Sequence, residues 1–178
     1  LTRSFASHKR LANGYILGNG MINSTSLNFA AMVTPDLSVA NSTFTKLSAN
    51  VTASGNINLV RNSDLQIDQA LTSFGDVNIN LATGGNITIN GPLTAGGSGG
   101  TNGNVTAVET NGLIVGAGNI NAANSVSITL LAGDLVRLGA INTSTSSGNV
   151  TLNIAAGGVS GTGAINAATL DWTSKSSA

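Results

Sequence analysis

Apolar and polar residues alternate along short segments of this chain, and a small, glycine-rich joint separates neighbouring segments. Val77, Ile79 and Leu81 alternate with polar residues, and Ile87 and Ile89 resume the alternation after a joint at residues 82–85. A period of two predicts strands with one apolar face. Glycine in the joint supplies the backbone freedom that a turn needs. Residues 75–92 are therefore predicted to be two short strands and a turn, which together form one portion of a coil.

The same phrase, a glycine followed by a small or polar residue and an aliphatic residue, recurs after residue 50. Its copies begin at Gly55, Gly75, Gly85, Gly103, Gly118, Gly148 and Gly163, in steps of 20, 10, 18, 15, 30 and 15 residues. Two further alternating runs, residues 65–67 and 126–130, fill gaps between copies. If one coil takes about 20 residues, these steps lie loosely around multiples of half a coil. Such spacing is consistent with a solenoid whose coils hold two or three strands each. We therefore predict an all-β, parallel β-helix with irregular loops.

Stacking gives the apolar and polar positions of such a coil different roles. Each strand buries its apolar face only when further coils lie above and below it. Asparagine is frequent at the polar positions, and recurring asparagines can form a ladder, each amide donating to the next coil and accepting from the previous one.

One domain is predicted, because 178 residues suffice for a single substantial core. Residues 1–12 hold Arg3, Lys9 and Arg10, and we expect a terminal cap or joint there, made by a short helix or a packed loop; a basic docking patch is the alternative.

Residues 13–172 are predicted to be the solenoid, with the repeat clearest in 51–170, and residues 173–178 a flexible tail. The looser pattern of residues 1–50 leaves open whether they join the solenoid. Loops are predicted at residues 91–103 and 143–147.

Charge and composition argue against several classes of protein. Charged residues make up 8% of the chain, and seven Lys and Arg balance seven Asp and Glu. We predict no nucleic-acid partner, because binding to phosphates needs clustered basic residues. No run reaches the roughly 18 apolar residues of a membrane span, so none is predicted. With no cysteine, stability has to come from backbone ladders and packing.

Few residues are suited to catalysis. Asp64 and Asp68, four apart, would share one face of a strand, as the paired acids of a polysaccharide-degrading β-helix would; two solvated charges are the favoured interpretation. Asp134 and Arg137 would fall on opposite faces, which favours protection of a sheet edge. His8 is the only histidine. We therefore predict no catalytic residue, no metal site and no cofactor.

Three further patterns raise separate hypotheses. The glycine cluster at residues 96–103 lacks the Asp of a calcium-binding repeat and the Lys of a phosphate loop, so we expect a flexible loop. Glycosylation sequons occur at Asn23, Asn41, Asn50, Asn86, Asn104, Asn142 and Asn149, a number that chance produces in such a composition. Thr88, Thr106 and Thr151 suggest an ice-binding row, but a regular Thr-x-Thr array is missing.

The repeats, above all residues 75–90 and 148–168, resemble those of filamentous haemagglutinin-like exoproteins, the large adhesins of two-partner secretion systems. The resemblance covers roughly residues 51–170. It implies a right-handed parallel β-helix within an elongated fibre on the bacterial surface, and it carries over no catalytic residue. Irregular steps and the long glycine insert depart from the family pattern and leave the coil register open.

From this resemblance we expect an extracellular structural or adhesive segment, with a polysaccharide-binding or polysaccharide-degrading β-helix as the alternative. The expected partners are neighbouring segments of a longer chain, or other copies stacked end to end as a filament, since open solenoid ends and low charge permit such contact. A glycan or protein receptor on a host or other surface is a further expected partner.

Overall fold

The computed structural model describes residues 4–12, 16–18, 23–31, 35–38, 45–51, 56–81, 84–96, 103–137 and 139–174. Within these ranges the chain forms strands and no helix. The strands are β1 (Ser4–Ala12), β2 (Ile16–Gly18), β3 (Asn23–Ala31), β4 (Pro35–Ser38), β5 (Lys46–Val51), β6 (Ile57–Arg61), β7 (Leu65–Ile67), β8 (Leu71–Ser73), β9 (Val77–Leu81), β10 (Ile87–Ile89), β11 (Leu93–Ala95), β12 (Asn104–Glu109), β13 (Ile114–Gly116), β14 (Ile120–Ala122), β15 (Ser125–Leu130), β16 (Leu135–Arg137), β17 (Ile141–Thr143), β18 (Asn149–Ile154), β19 (Val159–Gly161), β20 (Ile165–Asn166) and β21 (Thr169–Ser174).

The strands stack as a parallel β-solenoid, which confirms the predicted fold class. Five successive coils of the described chain hold three strands each: β7 to β9, β10 to β12, β13 to β15, β16 to β18 and β19 to β21. In each coil the longest strand joins an eight-stranded sheet, and the two short strands join a thirteen-stranded sheet. The strands of residues 75–92, β9 and β10, therefore lie in different sheets and do not pair with each other.

Longer strands replace the pairs of short strands in residues 4–51. β5 pairs with both β7 and β8 of the next coil, since Lys46 lies opposite Gln66 and Ala49 opposite Leu71. β1 and β3 extend the same sheet below β5, while β2 and β4 extend the eight-stranded sheet below β6. Strands from the first 50 residues thus belong to the same two sheets as the repeats.

The chain ends differ from their predicted conformations. Ser4–Ala12 is a strand parallel to β3, where a short helix or a packed loop was expected. Its side chains, including those of His8, Lys9 and Arg10, lie outside the described set, as does Arg3, so the basic-patch alternative stays a prediction. Thr173 and Ser174, assigned to the tail, are the last residues of β21. Residues 175–178 lie outside the described ranges.

The core consists of inward-facing columns of aliphatic side chains that run through successive coils. One column is Ile57, Val77, Val105, Val126 and Val150, all at most 1% exposed, followed by Leu170. The coils accordingly take 20, 28, 21, 24 and 20 residues. Burial alternates along β9, β12 and β18, which shows why the period of two predicted these strands correctly, because every second side chain enters this interior.

The glycine phrase marks all three corners of the coil, which explains its irregular steps. We call the bends before β10, before β11 and before β12, with their equivalents in other coils, the first, second and third corners. Gly85 lies at a first corner, Gly118 and Gly163 at second corners, and Gly75, Gly103 and Gly148 at third corners. The steps between these copies therefore cover one, two or four strands of the solenoid, which gives them unequal lengths.

Glycine is required at the first corner by close contact between coils. Gly85, Gly112, Gly133 and Gly157 stack in successive coils, and a Cβ on any of the last three would meet the carbonyl oxygen of the glycine below. Gly133 also has a φ of +121°, which side chains disfavour. No smaller residue exists, so the glycine column sets how closely the coils approach at this corner.

The loop predictions are partly wrong. Residues 91–103 include β11, whose Leu93 and Ala95 belong to the core, so the insert is shorter than expected. Residues 97–102, which contain most of the glycine cluster, lie outside the described ranges. Residues 144–148 form a loop, as predicted, in which the Ser144 and Thr145 N–H groups donate to carbonyls of residues 122 and 123.

Candidate functional surfaces

Side-chain ladders link the coils along the solenoid axis, as the asparagine pattern predicted. At the second-corner strands, Asn166 Nδ2 donates to Asn142 Oδ1 at 2.7 Å, and Asn142 Nδ2 donates to Asn121 Oδ1 at 2.8 Å. The direction is opposite to the one expected, since each amide donates to the preceding coil. Asn78 does the same toward Asn58 at 2.8 Å in the eight-stranded sheet.

A related ladder runs up the third corner through the polar residue of the glycine phrase. Asn56 Oδ1 accepts from the Asp76 N–H at 2.7 Å, and Asp76 Oδ1 accepts from the Asn104 N–H at 2.8 Å. Asn104 Oδ1 accepts from the Ser125 hydroxyl at 2.6 Å. Asp76 is therefore a structural acceptor between coils.

Asp64 and Asp68 flank β7 at its two ends and contact different neighbours. Asp64 Oδ1 accepts from the Asn86 N–H at 2.8 Å. Asp68 accepts from Asn90 Nδ2 at 3.0 Å and Gln66 Nε2 at 2.7 Å, and it forms an ion pair with Lys46 at 3.1 Å.

The hydrogen bond from Asn90 holds the pKa of Asp68 below its ordinary value, and Lys46 and Gln66 add to this effect. A general acid for glycoside cleavage needs a raised pKa. The lowered pKa of Asp68 is opposite to this requirement, and it is expected of a carboxylate that accepts a hydrogen bond from the next coil.

The prediction that Asp134 and Arg137 protect a sheet edge is wrong, because their strand does not lie at an edge. Asp134 Oδ1 accepts from the Gly158 N–H at 2.7 Å, which makes it another corner acceptor. β16 pairs with β13 on one side and β19 on the other, so it is not an edge strand. The Arg137 side chain lies outside the described set.

Several sequon side chains take part in contacts between coils. Asn86, Asn104, Asn142 and Asn149 all form such hydrogen bonds. Asn50 is exposed on β5. Asn41 and the Asn23 side chain lie outside the described set, and glycosylation stays a prediction.

Thr106 and Thr151 share one column of the eight-stranded sheet with Ser127 between them, whereas Thr88 belongs to the other sheet. The suggested threonine row therefore does not form.

Sequence reasoning missed two charged side chains in the interior. Arg61 and Glu109, 1% and 0% exposed, end β6 and β12 at inward positions. Burial lowers the pKa of Arg61 to about 10, against an attraction to Asp64 that raises it. Glu109 Oε1 accepts from the Asn111 N–H at 2.7 Å. Alternation could have found Glu109, because Val105, Ala107 and Glu109 are successive inward positions.

A shallow groove of about 230 Å³ lies beside the second-corner strands β11, β14 and β17. Its polar lining is provided by Thr94, Asn121, Asn142, Thr143 and Ser144, with alanines and Gly96 between them. Hydroxyl and amide groups with no charge suit a neutral, hydroxyl-rich ligand.

The C-terminal coil exposes large apolar side chains. Ile165, Leu170 and Trp172 are 36%, 49% and 54% exposed, although their partners in the coil below, Ile141, Val150 and Leu152, are buried. Their positions continue the core columns, so the end of the described solenoid presents an open section of core.

Comparison with family models, with curated proteins and with solved structures finds no match to this chain. The described residues hold no group of three or more His, Cys, Asp and Glu side chains placed to bind a metal ion. Across the same part of the chain, no helix has the length and apolar character needed to cross a membrane.

Proposed function

We propose that this chain is a non-enzymatic structural and adhesive segment of an extracellular bacterial surface fibre, built like the shafts of filamentous haemagglutinin-like adhesins. One observation carries the proposal: the core columns and the side-chain ladders continue from coil to coil along one axis. Each coil is stabilised by its nearest neighbours, so a fibre can be lengthened by adding coils of the same kind.

Immunogold electron microscopy tests the surface role. Antibodies against the purified chain should label intact cells of the producing bacterium along projecting fibres. Antibodies against a cytoplasmic protein of the same cells provide the control. Labelling that requires cell lysis would contradict the proposal.

Assays on polysaccharides test the non-enzymatic part. Incubation with pectin-like and other acidic polysaccharides, with and without calcium, should release no new ends. Measurable turnover that Asp64→Ala or Asp68→Ala abolishes would favour the enzyme alternative instead.

Glycan binding without catalysis is a second candidate, which the uncharged polar groove favours. Titration with neutral oligosaccharides should shift amide NMR signals of Thr94, Asn121 and Thr143, and Thr94→Ala should weaken the binding. Asn153→Ala, an exposed change on β18 in the other sheet, is the matched control. The absence of shifts at millimolar ligand would rule this candidate out.

A further inference from the structure

Two pairs of asparagine followed by glycine lie within the described residues, at positions 90 and 91 and at positions 111 and 112. Such a pair is chemically labile, because glycine has no side chain to shield its own backbone nitrogen from the preceding amide. That nitrogen can attack the asparagine Cγ and displace ammonia. Both pairs are therefore candidate sites of spontaneous deamidation, and their surroundings determine whether the reaction proceeds.

Contacts between coils account for both residues of the first pair, which lies at a second corner. A Cβ on Gly91 would lie 2.5 Å from the Gln69 carbonyl oxygen, so only glycine fits. Asn90 Nδ2 donates to Asp68 Oδ1 at 3.0 Å, so the position before this glycine holds an amide donor. The stacking of the coils thus places a labile pair at this corner.

The same stacking blocks the reaction while the coils are closed. The Gly91 N–H donates to the Ile67 carbonyl oxygen at 2.7 Å, and the Asn90 N–H donates to the same oxygen at 2.9 Å. Attack needs the Gly91 nitrogen to lose its proton and to turn toward the side chain, and these hydrogen bonds oppose both changes. The second pair is held similarly, since the Gly112 N–H donates to the Ala132 carbonyl at 3.0 Å.

The next coil repeats this backbone contact without the labile pair. Gly118 lies above Gly91, and its N–H donates to the Ile89 carbonyl oxygen at 2.8 Å. Ala117 precedes Gly118, so no side-chain amide is available for attack there. The backbone contact is therefore a property of the corner, whereas the reactive amide is specific to Asn90.

Loss of the Asn90 amide would turn an attractive contact into a repulsive one. The product is aspartate or isoaspartate, and its carboxylate would face Asp68 in place of a donor. Lys46 forms an ion pair with Asp68 at 3.1 Å and would then have to serve two carboxylates. Like charges at facing positions are destabilising, and isoaspartate also lengthens the main chain. Coils that open and react would therefore close again less firmly.

We propose that Asn90 is a modification site at which opening of the stacked coils leads to irreversible deamidation. The Gly91 nitrogen gives up its proton to hydroxide and forms a bond to Asn90 Cγ, and the Cγ–Nδ2 bond breaks as ammonia leaves. Water then adds to either carbonyl of the cyclic imide and opens the ring to aspartate or isoaspartate. A reversible opening thus becomes a permanent loosening of the solenoid, whatever the surface role of the chain.

Peptide mapping by mass spectrometry tests the proposal on the intact chain, incubated in mildly alkaline buffer with and without denaturing guanidinium chloride. Asn90 should deamidate at least about tenfold faster in the denaturant, because native coils must first open. Asn78 is the internal control and should keep its amide in both conditions, since the β-branched Ile79 hinders attack. Equal rates at Asn90 in the two conditions, or no reaction in either, would overturn the proposal.

Three variants test the consequence of the reaction by urea unfolding. Asn90→Asp reproduces one product and should unfold at a lower urea concentration than the wild type. Asn80→Asp adds the same charge at an exposed position between Val60 and Val108, and its midpoint should stay close to that of the wild type.

Exchanging the two partners in Asp68→Asn/Asn90→Asp returns one donor and one acceptor to the contact, so the double variant should recover part of the lost stability. Equal midpoints for Asn90→Asp and Asn80→Asp, or no recovery in the double variant, would overturn the permanent loosening.

Discussion

Arg61 and Glu109 lie in one inward-facing column of the eight-stranded sheet, with Leu81 of the intervening coil between them. Two opposite charges thus share an aliphatic interior without being adjacent in the stack. Glu109 Oε2 has no hydrogen-bond partner among the described residues. Burial of such an oxygen is costly, because it loses water without a full replacement.

Replacing this carboxylate should stabilise the solenoid. Glu109→Met is expected to raise the free energy of unfolding by about 1 to 3 kcal/mol, since an apolar side chain fits between Leu81 and Leu130. Urea unfolding measures the change. Leu130→Met, in the next coil of the same column, is the control and should cost less than about 1.5 kcal/mol. A Glu109→Met variant that unfolds more readily than the control would show that the carboxylate stabilises the native state.

The asparagine ladder should contribute measurably to stability. Asn142→Ala removes one hydrogen bond to the coil below and one to the coil above, and we expect a loss of about 1 to 2 kcal/mol. Asn153→Ala, exposed on β18, should change stability by less than about 0.5 kcal/mol. Thermal unfolding of the two variants measures the difference in stability. Equal stabilities would mean that the ladder does not stabilise the solenoid.

The glycine column at the first corner should tolerate no side chain. Gly133→Ala places a Cβ against the Gly112 carbonyl at a φ of +121°, and we expect a loss of about 3 kcal/mol or more. Gly158→Ala is the matched control, because its Cβ would meet only Asp134 Oδ1, at 3.8 Å. Unfolding of both variants at the same urea concentration would contradict the close contact between coils at this corner.

Stability should fall in acid partly through Asp68. The pKa of Asp68 is held below its ordinary value of 3.8, so the native state binds this proton less readily than the unfolded chain. The resulting stabilisation is present above pH 3.8 and is lost as the pH falls below it. Asp68→Asn should therefore be less stable than the wild type at pH 7, with the difference shrinking toward pH 2. A difference that stays constant over this range would exclude the charge of Asp68 as its source.

Strands and fold class could be predicted because burial alternates residue by residue. Val77, Ile79 and Leu81 needed only their own spacing to be placed on one apolar face. The side of the coil to which each strand belongs could not be predicted, because all three corners use the same phrase. Gly85 and Gly103 look alike in sequence, yet they lie at different corners and lead into different sheets.

The contacts of individual residues could not be predicted, because they depend on which coil lies above or below. The sequence of one segment does not contain this information. The contacts of Asp64 and Asp68 with Asn86 and Asn90, for example, join residues 22 apart in sequence. The exposure of Leu170 and Trp172 was equally hidden, because these residues alternate like any core residues. Only stacking shows that no described strand covers them.

The distance along one column tests the stacking of coils most directly. Asn58, Asn78, Thr106, Ser127, Thr151 and Asp171 follow one another on the outer face of the eight-stranded sheet. The chain has no cysteine, so Asn58→Cys/Asp171→Cys can be spin-labelled cleanly and compared with Asn58→Cys/Thr151→Cys by double electron–electron resonance. Five and four steps of about 4.8 Å predict backbone separations of about 24 and 19 Å, with narrow distributions. Broad distributions, or a mean that does not shorten by about one step, would contradict the solenoid and the fibre role that depends on it.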